Sequence, residues 1–139
     1  MSAPLSSASP VSSAASAGAA PVSRVSRAFP IGALWGAIGI ALGAFGAHAL
    51  ADRFSPADLA IYETGVRYQM YAALALLALG AVGQGGWPAR LLLIGSLIFS
   101  VSLYLLVGLG VRWLGAITPI GGVLMIAALV WVAALHWRR

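Results

Sequence analysis

The chain has 139 residues, of which 61% are hydrophobic and only 8% are charged, and its mean hydropathy is +0.97. Soluble domains carry roughly 25% charged residues, so this composition excludes an ordinary soluble globular protein. The net charge is +5, but the eight arginines are scattered singly or in pairs at the edges of apolar runs, a pattern typical of membrane topology signals and not of a nucleic-acid-binding patch.

Residues 1–28 form a low-complexity segment dominated by Ala, Ser and Pro, with Arg24 and Arg27 as its only charges. Such a segment has too little apolar surface to build a core, so we expect a disordered N-terminal tail. Its Ser-rich, acid-free character fits either a mitochondrial transit peptide or an Ala- and Arg-biased bacterial tail, and the composition favours the bacterial interpretation.

Beyond the tail, four prolines punctuate the chain, and each stands at the head of a stretch compatible with a helix. Proline suits the first helical turn because its missing N–H would be unpaired there in any case. Ser55 and Thr118 precede two of the prolines as helix caps, and Ser55 with Asp58 resembles a capping box. The predicted helix starts are Pro30, Pro56, Pro88 and Pro119.

The four helices that follow are long enough to cross a membrane, since a span needs about 20 apolar residues. The second helix, 56–84, is too long for a simple span and begins with mixed polar residues, so we interpret 56–66 as an interfacial helix start. The predicted fold is an all-α integral membrane four-helix bundle, with a transmembrane domain over residues 29–139. The predicted spans are about 30–51, 67–84, 88–110 and 119–137.

Four spans place both termini on one side of the membrane. More arginines fall on that side than on the other, which favours cytoplasmic termini in a bacterial plasma membrane, with all three acids outside. A mitochondrial membrane is the alternative. The terminal side holds Arg24, Arg27, Arg90, Arg138 and Arg139, and the other side holds Arg53, Arg67 and Arg112.

The first span carries five glycines at a 4-3-4-3 spacing. On a helix this spacing places them on one face, within an arc of about 80°. Small faces let helices approach closely in lipid, where packing and not the hydrophobic effect drives association. We expect this face to pack against another span of the same chain, with a second copy as the alternative. These helix-packing residues are Gly32, Gly36, Gly39, Gly43 and Gly46.

The third span carries a polar stripe at steps of four residues, formed by Ser96, Ser100, Tyr104 and Gly108. We interpret this stripe as a set of interhelical hydrogen bonds. A hydrated path for a small solute is the alternative interpretation.

Most of the remaining polar chemistry, including all three acids, falls within residues 48–71. Charge near lipid is energetically costly and usually functional, so any function is expected in this window. Glu63 and Arg67 stand four residues apart, on one helix face, where they can form an ion pair; alternatively, Arg67 binds an anion or a lipid headgroup. The predicted polar cluster is His48, Asp52, Glu63, Arg67, Tyr68, Gln69 and Tyr71.

His48 and Asp52 are also four residues apart, a spacing that can orient a general base or supply two metal ligands. Two ligands do not make a site, and the other histidine, His136, is predicted at the opposite membrane face. The chain has no cysteine, phosphate-binding loop, nucleophile elbow or HExxH motif, and no carboxylate lies in the middle of a span. We therefore predict no catalytic residue, no metal or other cofactor and no nucleic-acid partner.

Four runs of this sequence carry a resemblance to a known family: residues 42–50 (LGAFGAHAL), 62–71 (YETGVRYQMY), 99–104 (FSVSLY) and 118–122 (TPIGG). They resemble the YgdD-like family of small membrane proteins of unknown function, which includes transmembrane protein 256. The resemblance covers about residues 30–137 and implies a four-span bacterial inner-membrane protein, with mitochondrial or other membrane relatives in eukaryotes. It brings no activity or substrate. The family commonly has a histidine where Ala72 stands here.

Taken together, these patterns favour a structural or interaction protein that binds membrane lipid or a membrane protein partner, or forms a homo-oligomer. The glycine face and the outer polar window are the surfaces expected to do so. A small-solute channel or transporter acting as an oligomer is the alternative, and a membrane enzyme that uses His48, Asp52 and Glu63 is a second alternative.

Overall fold

The computed structural model describes residues 24–137, which fold into four long α-helices joined by short connections. The predicted N-terminal tail lies outside the described residues up to position 23, as do Arg138 and Arg139. A π-turn at Gly46–Leu50 continues the first helix, and a 3-10 turn at Arg112–Ala116 precedes the fourth. The helices are α1 (Ala28–Phe45), α2 (Pro56–Ala81), α3 (Gly86–Leu109) and α4 (Thr118–Trp137).

The start of α2 follows from its capping residues. The Ser55 hydroxyl accepts a hydrogen bond from the Asp58 backbone N–H at 3.1 Å and donates one to the Asp58 carboxylate at 2.9 Å. Pro56 occupies the first helical position, where no N–H is needed. Pro30 and Pro88 each lie two residues inside the start of their helices, still within the first turn.

Thr118 does more than begin α4. Its hydroxyl lies 2.7 Å from the Ser102 hydroxyl of α3, and it also donates to the Leu114 carbonyl at 3.3 Å. The side chain predicted as a helix cap therefore ties α4 to α3.

The helices alternate in direction, so their ends meet in two groups. At one end, here called the terminal end, the Ser26 backbone N–H donates to the Gly80 carbonyl at 2.9 Å, and the Gln84 side chain lies 2.6 Å from the His136 ring. The opposite end is called the acidic end, because all three acids of the chain lie on its half of the molecule. An ion pair between Asp58 and Arg112, at 3.4 Å, joins two elements there.

The five stripe glycines of α1 lie against α2 along its length. A Cβ added to Gly32 would come within 2.8 Å of the Leu77 nitrogen, and one added to Gly46 would come within 2.6 Å of the Tyr62 ring. Between these contacts, the facing pairs are Gly36 and Ala73, Gly39 and Met70, and Gly43 and Val66. The partner's number falls as the glycine's number rises, as an antiparallel hairpin requires. The glycine face therefore packs inside the chain and is covered by α2.

A second close approach joins α3 to α4. A Cβ added to Gly121 would lie 2.6 Å from the Gly95 carbonyl oxygen, and one added to Gly95 would lie 2.8 Å from the Gly121 oxygen. Side chains at these two positions would separate the helices. α4 packs mainly on α3, and much of its surface stays exposed.

Three of the helical segments are long and apolar enough to cross a membrane: Ala28–Leu50, Gly86–Leu109 and Arg112–Trp137. The other long helix, α2, carries Asp58, Glu63 and Arg67 in its first half. Its 26 residues correspond to about 39 Å, and it packs between α1 and α3, so less of its surface faces outward. The predicted second span, 67–84, corresponds to the apolar part of α2, which ends at Ala81.

Candidate functional site

The structure does not gather the predicted polar cluster into one site. Only Gln69 is buried, with no exposed surface. Tyr68 and Tyr71 contact each other edge to face, with ring centroids 5.6 Å apart. The members with exposed side chains are His48, Asp52, Glu63, Arg67, Tyr68 and Tyr71.

The predicted ion pair between Glu63 and Arg67 is not formed. Within residues 24–137 the ion pair that forms is between Asp58 and Arg112. Glu63 and Arg67 are both exposed, and at an exposed site the attraction between two charges barely offsets the entropy lost in fixing two long side chains. The two residues line a pocket of about 240 Å³ beside Tyr62. Tyr62 precedes the predicted span, and burial raises the pKa of its phenol.

His48 and Asp52 lie in the π-turn and the connection that follows it, and both side chains are exposed. In the described part of the chain, no group of three His, Asp or Glu side chains is close enough to hold a metal ion. This region therefore offers an exposed imidazole and carboxylate without a third ligand.

A buried polar network links α1, α2 and α3 through Gln69. Its amide nitrogen donates to the Trp35 carbonyl at 3.0 Å, and its amide oxygen accepts from the Tyr104 hydroxyl at 2.7 Å. The Trp35 indole N–H in turn donates to the Ser96 hydroxyl at 2.8 Å. Gln69 belongs to the polar cluster predicted as either ligand or structural residues, and its hydrogen bonds join three helices.

The polar stripe of α3 also contributes hydrogen bonds between helices. Ser96 and Ser100 are completely buried, and the Ser100 hydroxyl donates to the Gly65 carbonyl at 2.8 Å. Over the described residues, every buried side-chain nitrogen and oxygen has a hydrogen-bond partner. The stripe therefore makes interhelical hydrogen bonds, one of the two interpretations that the sequence left open.

The feature best suited to a ligand lies at the other end of the molecule. A cavity of about 550 Å³ opens at the terminal end, more than twice the volume of the pocket beside Glu63. Ligand cavities in proteins fall in the range of roughly 300–1,000 Å³. Its walls are apolar and its rim is polar. The walls are Ala28, Ile31, Leu76, Ala89 and Leu93, and the rim is Ser26, Arg27, Arg90 and three glycines, 83, 85 and 86.

The connection between α2 and α3 leaves the mouth of this cavity open. Gly83 and Gly86 have φ angles of 75° and 79°, in the left-handed region that favours glycine. Since neither residue has a side chain, the mouth is not filled. Ser26 fixes the opposite rim, because its hydroxyl donates to the Gln84 carbonyl at 2.8 Å.

The rim of the cavity is positively charged. Arg27 and Arg90 both border it, and the Arg90 guanidinium lies 5.3 Å from the centre of the Trp87 ring. Asp52, Asp58 and Glu63 lie toward the acidic end, and no Asp or Glu side chain is among the residues that line this cavity. The sequence predicted both arginines on the same side of the membrane, but their shared cavity depends on how α1 and α3 each pack against α2.

Comparisons with known proteins agree on one family. A family model described as "Protein of unknown function (DUF423)" matches residues 42–122. A UPF0382 membrane protein of Staphylococcus epidermidis is 46% identical over 101 residues, which are 69% of this chain and 83% of the relative. The UPF0382 membrane protein YwdK of Bacillus subtilis is 38% identical over 77% of this chain and 94% of its own. The UPF0382 inner membrane protein YgdD of Escherichia coli K12 is 36% identical over 77% and 88%. No solved structure matches the chain.

Proposed function

Because the chain belongs to the DUF423 family of proteins of unknown function, whose bacterial relatives are named membrane proteins, we propose that it is a four-span plasma-membrane protein that binds membrane lipid and performs no catalysis. The single observation that carries this proposal is the cavity at the terminal end, which joins an apolar interior to a polar rim. A membrane lipid is divided in the same way, so its acyl chains can contact the apolar walls while its headgroup contacts the polar rim.

The distribution of apolar side chains supports insertion into a membrane. Leu34 on α1 and Ile126 on α4 are each 65% exposed, and Val123 is 63% exposed. Soluble monomers rarely show apolar patches of this extent, whereas lipid solvates them. The excess of arginine at the terminal end supports cytoplasmic termini.

The structure favours a different lipid-binding surface from the one proposed from the sequence. The glycine face of α1 is filled by α2, so it offers no surface to a lipid or to another protein. Gln69, the buried member of the polar cluster, already has hydrogen-bond partners in Trp35 and Tyr104. The proposed lipid site therefore moves from the acidic end to the terminal end.

The proposal is tested by native mass spectrometry of the protein released from its own membranes in a mild detergent. We expect each protein molecule to retain a ligand of lipid mass. A Leu93→Trp variant, which places an indole in the cavity wall, is expected to lose that ligand. The matched control is Leu97→Trp, one turn further along α3, at a position 37% exposed and outside the cavity lining.

Two outcomes contradict the proposal. If wild-type protein carries no ligand of lipid mass after its release from the membrane, the cavity does not bind lipid tightly enough to retain it in mild detergent. Equal retention by Leu93→Trp and wild type places the lipid elsewhere. Circular dichroism of each variant establishes that the helices have formed.

A further inference from the structure

The charge of the cavity rim indicates which headgroup it accepts. We propose that the cavity selects a lipid with a net negative phosphate headgroup, and that Arg27 and Arg90 bind the phosphate. This inference rests on the lipid-binding role proposed above and adds the chemical class of the ligand. The acyl chains occupy the apolar walls formed by Ile31, Leu76 and Leu93.

The two arginines approach the same opening from different helices. Arg27 immediately precedes α1, and Arg90 lies in the first turns of α3. A guanidinium is planar and presents paired N–H donors that match two oxygens of a phosphate. Basic pockets between helices on the cytoplasmic side of a membrane bind anionic headgroups by this chemistry. The starts of α1 and α3 also lie at the mouth, where the helix dipoles add positive potential.

The rim discriminates against zwitterionic headgroups because the described residues that line the cavity include no Asp or Glu side chain to pair with an ammonium group. Asp52, Asp58 and Glu63, the three acids of the chain, are all toward the acidic end. A choline or ethanolamine headgroup would bring its cation beside two arginines, with no Asp or Glu side chain in the cavity lining to pair with it. An anionic headgroup meets only complementary charge.

The N-terminal segment of the chain itself is a poorer match for this rim. Residues 1–23 contain no acidic side chain, so they bring no negative charge to Arg27 and Arg90. The first charge along the chain is Arg24, which would be repelled. Charge complementarity therefore favours an anionic lipid over the chain's own tail.

The test uses the full chain in nanodiscs of phosphatidylcholine containing one-fifth phosphatidylglycerol. After transfer to detergent, native mass spectrometry gives the ratio of the two lipids that remain bound. We expect the bound ratio of phosphatidylglycerol to phosphatidylcholine in wild type to be about tenfold higher than their ratio in the bilayer, since each arginine near the headgroup contributes a factor of several. The double variant Arg27→Gln/Arg90→Gln should retain both lipids near their bilayer ratio.

The matched control is Arg24→Gln, which removes one positive charge from the same end of the molecule but does not border the cavity. It should stay within about twofold of wild-type enrichment, because a screened charge beyond the site contributes little. Competition with inorganic phosphate separates a lipid from a free anion. We expect phosphate at ten times the protein concentration to leave the bound phosphatidylglycerol in place.

The outcomes separate this inference from the lipid-binding role. Retention of lipid without preference for phosphatidylglycerol overturns the inference and leaves lipid binding intact, with Arg27 and Arg90 acting only as topology signals. Loss of all lipid in wild type overturns both. Enrichment that survives in the double variant excludes the arginine site, and displacement by phosphate assigns the site to a free anion. If the double variant fails to fold, the wild-type preference for phosphatidylglycerol over phosphatidylcholine still decides whether the protein selects an anionic headgroup.

Discussion

At the scale of single residues, Gln69 shows that the helix face on which a polar side chain lies decides its role. On an exposed face it can contact a ligand, and on a buried face it holds helices together. Its neighbour Tyr68 lies on an exposed side of α2, whereas Gln69 shares a buried face with Gly65 and Ala72. Small residues repeating at helical spacing were a visible signal in the sequence. That signal could have indicated the covered face of α2, but it could not have shown that Tyr104 and Trp35 supply the amide's partners.

Replacing Gln69 by leucine is expected to lower the free energy of unfolding by about 1 kcal/mol, because the buried Tyr104 hydroxyl loses its acceptor. The double variant Gln69→Leu/Tyr104→Phe removes both partners and should be less destabilised than the sum of the single variants. Unfolding in detergent, followed by circular dichroism, measures all four proteins. Strictly additive effects would show that the hydrogen bond contributes nothing to stability.

Gly80 provides a steric prediction at the terminal end. A Cβ added there would overlap the backbone of Phe29, which cannot move without displacing the start of α1. We expect Gly80→Ala to destabilise the protein by about 3 kcal/mol or to prevent folding. Gly108→Ala is the control, since a Cβ at this helical position meets nothing within 4 Å and alanine favours the helix. Similar yields and melting temperatures for the two variants would contradict the close approach of α1 to α2.

At the scale of elements, the sequence predicted the helices well and their lateral contacts less well. Proline and cap positions are local signals, so the helix starts of the structure fall within two residues of the predicted prolines. The ion pair between Asp58 and Arg112 joins positions 54 residues apart, and no local pattern connects them. Residues 24–28, which the sequence assigned to the tail, belong to the described structure: Ser26 bonds to the end of α2 and α1 begins at Ala28.

Two interactions at the start of α2 should differ in strength. Ser55→Ala removes the helix cap and is expected to lower stability by about 1 kcal/mol. Arg112→Gln removes the ion pair with Asp58, but the arginine side chain is 72% exposed, so the loss should not exceed about 0.5 kcal/mol. Unfolding free energies of the two variants, measured at low and high salt, test the ranking. A larger loss in Arg112→Gln would mean that the ion pair organises the connection before α4.

At the scale of the whole molecule, the family resemblance drawn from short runs is confirmed, since the DUF423 model matches residues 42–122 and relatives share 36–46% identity.

The candidate site was harder to predict. Because charge near lipid is energetically costly, the sequence predicted the functional site in the polar window, residues 48–71. Most side chains of the polar cluster are exposed, however, and Gln69 has a structural role. The cavity at the terminal end arises from helix packing and an open glycine connection, which the sequence expresses only as two separate arginines and a few glycines.

The orientation of the molecule decides which leaflet supplies the lipid, and it can be read directly because the chain has no cysteine of its own. Ala51 is exposed at the acidic end, and Val82, 61% exposed, lies in the connection at the terminal end. In intact spheroplasts, a membrane-impermeant maleimide should label Ala51→Cys and should reach Val82→Cys only after permeabilisation. We expect this pattern because arginines are retained on the cytoplasmic side of the membrane, and the terminal end carries more of them than the acidic end. The reverse labelling would place the cavity in the outer leaflet, and a lipid selected by Arg27 and Arg90 would then have to come from that side.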